Sequence, residues 1–316
     1  MNQIDRLESV TLGGIEQWVR IRTRDVRRPL LLVLYGGPGF PVFPRVTDLG
    51  VRAGLEDTYT VAYWEQRGTG KSYDPALAPD SMTVQQFVDD LLGLTDYLLT
   101  ELQKETLVLL GLSWGTLLGV RALVQAPDRF SAYAGSGQIV NGLEGDRMSY
   151  AFALREAKRR QNGKALRQLV DIGSPPYSTR QLMTQRKWVG AFGGIRYDES
   201  PQGPLSLLRE LITTSDYTWR DAWNVATDPF FCLEHLLDSI YDQALEKEIT
   251  RVDVPVHFLQ GRHDAVTPPA LTRSFASGLE APSVEWVWFD ESAHFPFLDQ
   301  PERFGHTMNV LAPTPP

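Results

Sequence analysis

Short apolar segments, bounded by glycine, proline or aspartate, alternate along the chain with segments of helical periodicity. They are Leu30–Tyr35, Tyr59–Trp64, Thr106–Leu112, Val254–Gln260 and Val284–Phe289. Near-continuous hydrophobicity over so few residues is typical of strands buried on both faces of a parallel sheet. Because helices separate these strands, the pattern predicts an α/β protein with a doubly wound, mostly parallel sheet.

The segments between the strands have apolar residues at the spacing of one helix face. We predict helices over Val84–Leu102, Trp114–Gln125, Pro269–Leu279 and Pro301–Val310. Thr83 and Gln86 have the spacing of a capping box at the start of the first of them. Near the N-terminus, Val10–Arg22 reads as two strands around a Gly-Gly turn, which predicts an antiparallel edge of the sheet.

The alternation stops near Gln138 and resumes near Val254. The segment between them is rich in aromatic residues and has helical stretches at Tyr150–Arg160 and Pro229–Tyr241, but no good buried strand. We therefore predict that residues 140–250 form a helical cap inserted between two parts of a core, residues 1–139 and 251–316. Basic residues dominate the first half of the cap, and acidic residues dominate Asp198–Glu248.

The stretch WEQRGTGKS, Trp64–Ser72, ends like a phosphate-binding loop. Such a loop begins with a glycine five residues before the second one, so that backbone N–H groups can surround phosphate. Glu65 stands at that position, and its carboxylate would repel phosphate. The sequence therefore predicts no nucleotide site here.

A G-x-S-x-G motif, Gly111–Gly115, follows the third apolar segment and precedes a predicted helix. A strand, a sharp turn and a helix are the context that a serine nucleophile requires, because the turn lifts the hydroxyl above the sheet edge. The helix also directs its positive N-terminal end to that point. Ser113 is the candidate nucleophile.

A serine nucleophile needs a histidine base and an orienting carboxylate, which follow it in chain order after later strands. His294 lies directly after the last predicted strand, and Asp264 lies after the preceding one. Asp290 and Asp253 are competing acids at the end and the start of strands. The other histidines lie in a strand, on helical patterns or beside Asp264: His257, His235, His306 and His263.

Acyl transfer also needs N–H donors for the developing oxyanion. One is the backbone N–H of Trp114, which follows the nucleophile. The other should come from the loop Tyr35–Gly39, YGGPG, which follows an early strand. We assign it to Gly37, with Gly36 as the alternative.

Composition and motif spacing limit the classes of partner and cofactor that this chain could bind. The net charge of −8 argues against a nucleic-acid surface or an anionic membrane surface. The N-terminus shows no secretory signal, and the single cysteine, Cys232, lies in an apolar setting that suits burial in a reducing compartment. No cluster of histidine and cysteine has metal-ligand spacing. We expect a cytoplasmic protein that needs no cofactor and no metal; its oligomeric state is left open.

Five segments together resemble the prolyl-iminopeptidase group of the α/β hydrolases: GGPG, QRGTGKS, GLSWG, GRHD and SAHFP. The resemblance covers residues 30–140 and 250–305. It implies the α/β-hydrolase fold, a covalent acyl-enzyme and release of an N-terminal proline or small residue from a peptide. It also implies that WEQRGTGKS is a structural loop beside the active site. We expect Arg67 to anchor that loop, because a guanidinium can bind several carbonyls or a carboxylate at once.

The chain departs from the group in two motifs and in the cap. Tyr35 and Glu65 stand where the group usually has histidine and aspartate. The group also holds the substrate amine with cap glutamates, one of them typically in a Trp-Glu pair, and no such pair occurs in this cap. The candidate substitutes are Glu144, Asp216, Asp228 and Glu234.

The sequence therefore leaves more than one function open. The first is an aminopeptidase acting on short peptides, for which Glu144 is one candidate contact to the substrate. The second is an esterase, lactonase or amidase with a small apolar acyl substrate under an aromatic cap. Its pocket would be lined by Trp188, Trp219, Trp223 and Phe230. A non-catalytic binding protein on the same fold is the remaining alternative, and the complete set of serine, histidine, aspartate and glycine-loop motifs argues against it.

Overall fold

The computed structural model describes residues 3–198, 214 and 216–312 of the chain. Within these residues, one sheet of eight strands runs in the order β1-β2-β4-β3-β5-β6-β7-β8. The strands are β1 (Ile4–Leu12), β2 (Ile15–Thr23), β3 (Leu30–Leu34), β4 (Thr60–Glu65), β5 (Leu107–Leu112), β6 (Phe130–Ser136), β7 (Val256–Gly261) and β8 (Val284–Phe289). All neighbours from β4 to β8 are parallel, whereas β1, β2 and β4 pair antiparallel. The predicted α/β sheet with an antiparallel edge is confirmed.

The helices in the core pack on the two faces of the sheet. They are α1 (Val84–Glu101), α2 (Trp114–Gln125), α9 (Pro269–Gly278), α10 (Pro296–Asp299) and α11 (Pro301–Val310). Thr83 caps α1 by accepting a hydrogen bond from the Gln86 N–H at 3.1 Å. The Gln86 side chain binds Asp90 instead of the cap backbone, so only half of the predicted capping box forms.

Between β6 and β7 the described chain is helical. These helices are α3 (Gly142–Arg159), α4 (Gly163–Ile172), α5 (Thr179–Ala191), α6 (Trp219–Thr227), α7 (Phe231–Tyr241) and α8 (Leu245–Glu248). The acidic half of the predicted cap begins at Asp198, and most of its residues before Asp216 lie outside the described residues. We keep the name cap for residues 140–250, and its boundaries stay a prediction.

Two strands differ from the sequence prediction. β6, with the sequence FSAYAGS, was not predicted, because its small residues give neither an apolar run nor a clean alternation. Those small side chains suit the packed centre of the sheet, where Tyr133 is fully buried against α2. β8 was predicted to be buried on both faces, and this is wrong. It is the edge strand, and its residues run from exposed at Val284 to buried at Phe289. Arg262 covers Trp288, and Arg273 covers Trp286.

Parallel strands bring their carboxyl ends to one edge of the sheet, where ligand sites of α/β proteins lie. The loops after β3, β4, β5, β7 and β8 meet at this edge, and they carry the motifs singled out in the sequence. No helix in the part of the chain that the structure describes combines the length and the apolarity needed to cross a bilayer.

Candidate active site

Ser113 lies at the turn between β5 and α2. Its backbone has φ +53° and ψ −116°, a conformation that residues other than glycine rarely adopt. The turn is tight because α2 approaches β3 closely: a Cβ placed on Gly115 would lie 2.1 Å from the carbonyl oxygen of Leu34. The glycine at this position therefore permits the geometry that holds the Ser113 hydroxyl at the sheet edge.

His294 and Asp264 reach Ser113 from the loops after β8 and β7. Nε2 of His294 lies 2.9 Å from Oγ of Ser113, and Nδ1 lies 3.0 Å from Oδ2 of Asp264. His294 and Asp264 are buried, while Ser113 is half-buried. The structure thus brings these three side chains together in one hydrogen-bonded chain.

The hydrogen bonds around Asp264 favour its ionised form. Oδ1 accepts hydrogen bonds from the N–H groups of Val266 and Thr267, at 2.8 and 2.9 Å. Oδ2 accepts a further bond from the Thr267 hydroxyl at 2.7 Å. Burial opposes ionisation, but the positive charge of protonated His294 and these hydrogen bonds outweigh it and lower the pKa of Asp264.

The competing residues lie elsewhere. Asp290 is exposed and pairs with Arg262 and Arg303, and Asp253 pairs with Arg251 on the surface. His257 is buried in β7, and His263 packs its ring against Tyr197. His235 and His306 lie on α7 and α11. None of these side chains has a hydrogen bond to Ser113 in the described structure.

The glycine loop after β3 lies against the same serine. A Cβ on Gly36 would lie 3.2 Å from Cβ of Ser113. Gly37 has φ +127°, and a Cβ there would approach the backbone nitrogens of Gly39 and Phe40 to 2.5 and 2.7 Å. Only glycine fits such a turn.

Trp114 occupies the first position of α2, where no carbonyl of the helix lies behind its N–H. That N–H is therefore available to a ligand beside Ser113. The indole of Trp114 donates to Oε1 of Gln66 at 2.9 Å, and Gln66 donates to the carbonyl of Tyr35 at 3.1 Å. Gln66 thus ties together the loops after β3, β4 and β5, a role that the sequence analysis missed because it joins residues remote in sequence.

The loop Trp64–Ser72 is held by Arg67, as predicted. The Arg67 side chain is 1% exposed. Its Nε donates to Asp90 at 2.8 Å, and Nη2 donates to the carbonyl of Gly13 at 3.0 Å. Lys71, the residue that would face phosphate in a nucleotide site, pairs with Asp221 and lies over the ring of Trp18.

Cys232 lies on α7 and is buried, as predicted, against the carbonyls of Arg67 and Gly68 and the hydroxyl of Thr69. Burial raises the pKa of its thiol to about 12. A thiol with such a pKa is neutral at physiological pH, so it packs as a small apolar side chain.

Glu65 is a buried carboxyl at the end of β4. It accepts hydrogen bonds from the Lys71 N–H at 2.6 Å and from the Tyr217 hydroxyl, which belongs to the cap. Burial raises its pKa from the ordinary 4.5 to about 8, although these hydrogen bonds and the charge of Lys71 oppose the rise. Glu65 therefore keeps a proton in the folded chain at a pH where the unfolded chain has lost it.

We expect this proton to make stability depend on pH. Between about pH 4.5 and 8 the folded state binds more protons at Glu65 than the unfolded state, so the free energy of unfolding falls as pH rises. The fall is at most about 1.4 kcal/mol per pH unit. Glu65→Gln should lack this contribution. Denaturant unfolding of both proteins from pH 5 to 9 gives, at each pH, the free energy of unfolding of wild type minus that of Glu65→Gln. This difference should fall as pH rises. A difference that stays flat or rises with pH contradicts the assignment, and Glu302→Gln is a matched control on an exposed carboxyl.

The cap residues predicted to contact the substrate differ in their exposure. Trp219 and Trp223 on α6 are 83% and 65% exposed, whereas Trp188 packs inside the cap against Phe192. None of these three tryptophans is placed by the described contacts against Ser113, so an aromatic pocket lining stays a prediction. Glu144 is half-buried at the start of α3 and pairs with Arg147.

Within the described ranges, no group of three or more histidine, cysteine, aspartate or glutamate side chains is arranged to hold a metal ion. The site around Ser113 consists of a hydroxyl, an imidazole, a carboxylate and backbone N–H groups. Such a set fits acyl transfer to serine.

Comparison with known proteins supports the same fold. A family model for the alpha/beta hydrolase fold matches residues 29–301. A Bacillus subtilis (strain 168) protein named "Probable aminopeptidase YbaC" is 32% identical over 305 residues, which cover 96% of this chain and 95% of the relative. The proline iminopeptidase of Heyndrickxia coagulans is 25% identical over 279 residues, 87% of each chain. The solved structure of a Mycobacterium smegmatis proline iminopeptidase superposes with a TM-score of 0.71 at 19% identity, covering 96% of this chain and 97% of the other.

The predicted resemblance to prolyl iminopeptidases is thus confirmed at the level of family and fold. The family match extends over most of the chain, and the eight-stranded sheet carries the strand–turn–helix geometry that the fold requires. The chain belongs to the α/β-hydrolase fold family, as an enzyme with the fold of the serine hydrolases.

Proposed function

We propose that the protein is a serine hydrolase in which Ser113 is the nucleophile, His294 the general base and Asp264 the carboxylate that orients the base. The observation that carries this proposal is the chain of two contacts, 2.9 Å from Ser113 Oγ to His294 and 3.0 Å from His294 to Asp264. Both lie within the range at which a base can take a proton from a hydroxyl.

In the proposed reaction, Nε2 of His294 takes the proton from Ser113 as Oγ bonds to the substrate carbonyl carbon. The carbonyl oxygen becomes an oxyanion, which accepts hydrogen bonds from the backbone N–H groups of Trp114 and Gly37. His294 then gives its proton to the leaving group, and the carbon–leaving-group bond breaks to form the acyl-enzyme. A water molecule, deprotonated by His294, then attacks the acyl carbon. The bond from that carbon to Oγ breaks, and His294 returns the proton to Oγ, which regenerates Ser113.

For the substrate, we propose a short peptide from which an N-terminal proline or small residue is released. The named aminopeptidase that matches 96% of the chain at 32% identity supports this assignment. Such a substrate carries a free amine, whose positive charge is costly to remove from water without a carboxylate partner. The substrate class therefore depends on which acidic side chain of the cap is available.

The described contacts show which of the four candidate carboxylates already have a partner. Glu144 pairs with Arg147, Asp216 pairs with Arg20, and Asp228 accepts a hydrogen bond from the Tyr73 hydroxyl. Glu234 has no ion pair with any described residue. We assign the amine contact to Glu234 for this reason.

The position of Glu234 supports the assignment. It lies in the first turn of α7 and lines a cavity of about 350 Å³ with Phe230 and residues of α5. Two residues earlier, Cys232 packs on the glycine loop, because a Cβ on Gly39 would lie 2.9 Å from its Cβ. The start of α7 thus lies over the loop that carries the proposed oxyanion donor. Arg180 and Lys187 also line the cavity, and their charge suits the carboxylate of a short peptide.

Blocking the substrate amine tests the proposal. We expect the enzyme to cleave prolyl p-nitroanilide and to lose nearly all activity on the N-acetyl derivative, because acetylation removes the charge that the cap must bind. Steady-state rates on the two compounds measure the difference. Glu234→Gln should raise KM for the free amine, and Glu144→Gln is the matched control on a cap glutamate that is already paired with Arg147.

An esterase or amidase is the second candidate, and one observation favours it: three of the four acidic candidates are already engaged by other residues. A short p-nitrophenyl ester needs no amine contact, so this candidate predicts rapid turnover of the ester. Equal rates on the free and acetylated peptides would refute the peptidase assignment and support the esterase. Inactivity on all of these substrates would refute both.

A further inference from the structure

The segment that follows α5, residues 193–197, runs from the cap to both loops that carry the proposed base and acid. We call it the cap strap. The carbonyl of Gly194 accepts a hydrogen bond from the Ala265 N–H at 3.1 Å, and the carbonyl of Ile195 accepts one from the His294 N–H at 3.0 Å. One short cap segment therefore bonds to His294 itself and to the residue after Asp264.

The strap approaches the loop after β7 more closely than a side chain at Gly194 would allow. A Cβ at Gly194 would lie 2.7 Å from Cβ of Ala265 and 2.8 Å from a methyl carbon of Val189. The strap also keeps contact with the end of α5, because the Gly194 N–H donates to the carbonyl of Val189 at 2.9 Å. The strap is thus held between a cap helix and the acid loop.

An ion pair fixes the other end of the strap to the base loop. Nε of Arg196 lies 2.6 Å from Oδ1 of Asp299, and the two side chains are 16% and 2% exposed. The second oxygen of Asp299 accepts hydrogen bonds from the Ser292 hydroxyl at 3.1 Å and from the Ala293 N–H at 3.0 Å. It also accepts the Tyr197 N–H at 3.3 Å. Asp299 therefore holds the two residues before His294 and two residues of the strap.

We propose that the cap strap, through Arg196 and Asp299, positions His294 and Asp264 for the reaction. The position of the cap then determines whether His294 can act as the base. The inference rests on the proposed function. His294 lies in an irregular loop beyond the sheet, and its backbone N–H donates to the strap rather than to a strand. Reactive groups must be held closely, since a displacement of about 1 Å can lower a rate by about a hundredfold. Arg196 and Asp299 are positioning residues, because they act on the reaction through the loop of His294.

The test compares Arg196→Ala and Arg196→Lys with wild type. The control is Arg20→Ala, which removes a cap-to-core pair with Asp216 of similar burial, together with a pair to Asp5, near the opposite edge of the sheet. Rates are measured with p-nitrophenyl butyrate and prolyl p-nitroanilide, and serine reactivity with a fluorophosphonate probe. Rates are normalised to folded protein by circular dichroism.

We expect Arg196→Ala to lower kcat and the labelling rate by about 10- to 100-fold while KM changes little. Arg196→Lys should recover much of the loss, because an ammonium can still pair with Asp299. Arg20→Ala should change stability without this fall in kcat. Equal kcat in wild type and Arg196→Ala, or the same fall in Arg20→Ala, would overturn the proposal.

A crystal structure of Arg196→Ala gives a readout that does not depend on turnover. We expect the separation of His294 Nε2 and Ser113 Oγ to exceed the 2.9 Å of wild type and to leave hydrogen-bond range. An unchanged separation refutes the positioning role. Wild-type protein that neither labels nor turns over any substrate refutes the proposed function instead, so the two failures are distinguishable.

Discussion

Ser113→Ala should abolish turnover on every substrate and leave the fold intact. The variant loses only Oγ, the atom 2.9 Å from Nε2 of His294, which the proposed mechanism uses to form the acyl-enzyme. Loss of the serine from a cooperating triad lowers kcat by about 10⁴- to 10⁶-fold. The unfolding midpoint should stay close to wild type, because the backbone of residue 113 keeps its conformation. Steady-state rates and thermal unfolding measure the two effects.

Ser131→Ala is the matched control. The Ser131 hydroxyl lies in β6 and has no hydrogen-bond partner in the described structure, so its removal should change neither rate nor fold. A fluorophosphonate probe should label wild type at Ser113 and should not label the alanine variant there. A Ser113→Ala enzyme that retains more than about a tenth of the wild-type rate would show that the nucleophile is another residue.

The sheet could be predicted where the chain itself carries the signal. β3, β4, β5 and β7 are buried on both faces, and their near-continuous apolar sequences predict this. β6 could not be found in this way, because its small side chains are selected by packing against neighbours that lie far away in sequence. β8 looks like a buried strand in sequence, and only the sheet order reveals that it lies at the edge.

The same contrast holds at the site. Ser113, Asp264 and His294 could be proposed from sequence, because each lies in a short motif directly after a strand and parallel strands converge at one edge. The groups that hold them could not. Gln66 and Asp299 act through hydrogen bonds to loops that come together only in the folded chain. Nothing in the local sequence of residues 193–197 indicates that the strap reaches His294.

Asp264→Asn should lower kcat by about 10⁴-fold, because the amide would fix the wrong tautomer of His294. Oδ1 of Asp264 accepts two backbone N–H groups, so the amide oxygen of asparagine should take this position. The amide NH₂ then takes the place of Oδ2 and faces Nδ1 of His294. The imidazole must accept this hydrogen bond, so its proton moves to Nε2, where it can no longer take the proton of Ser113. His294→Ala should be impaired as severely, since it removes the base itself.

Asp290→Asn is the control that discriminates between the two acids after strands. Asp290 is exposed, and its hydrogen bond and ion pair with Arg262, and its contact with Arg303, lower its pKa. Its loss removes only surface ion pairs, which are screened by solvent and contribute little to stability, and kcat should change by less than about twofold. The ranking is measured by kcat on one substrate with all three variants. If Asp290→Asn were the more damaged enzyme, the acid would lie at the end of β8. The hydrogen bond between Asp264 and His294 would then only hold the two loops together, and it would not set the tautomer of His294 during turnover.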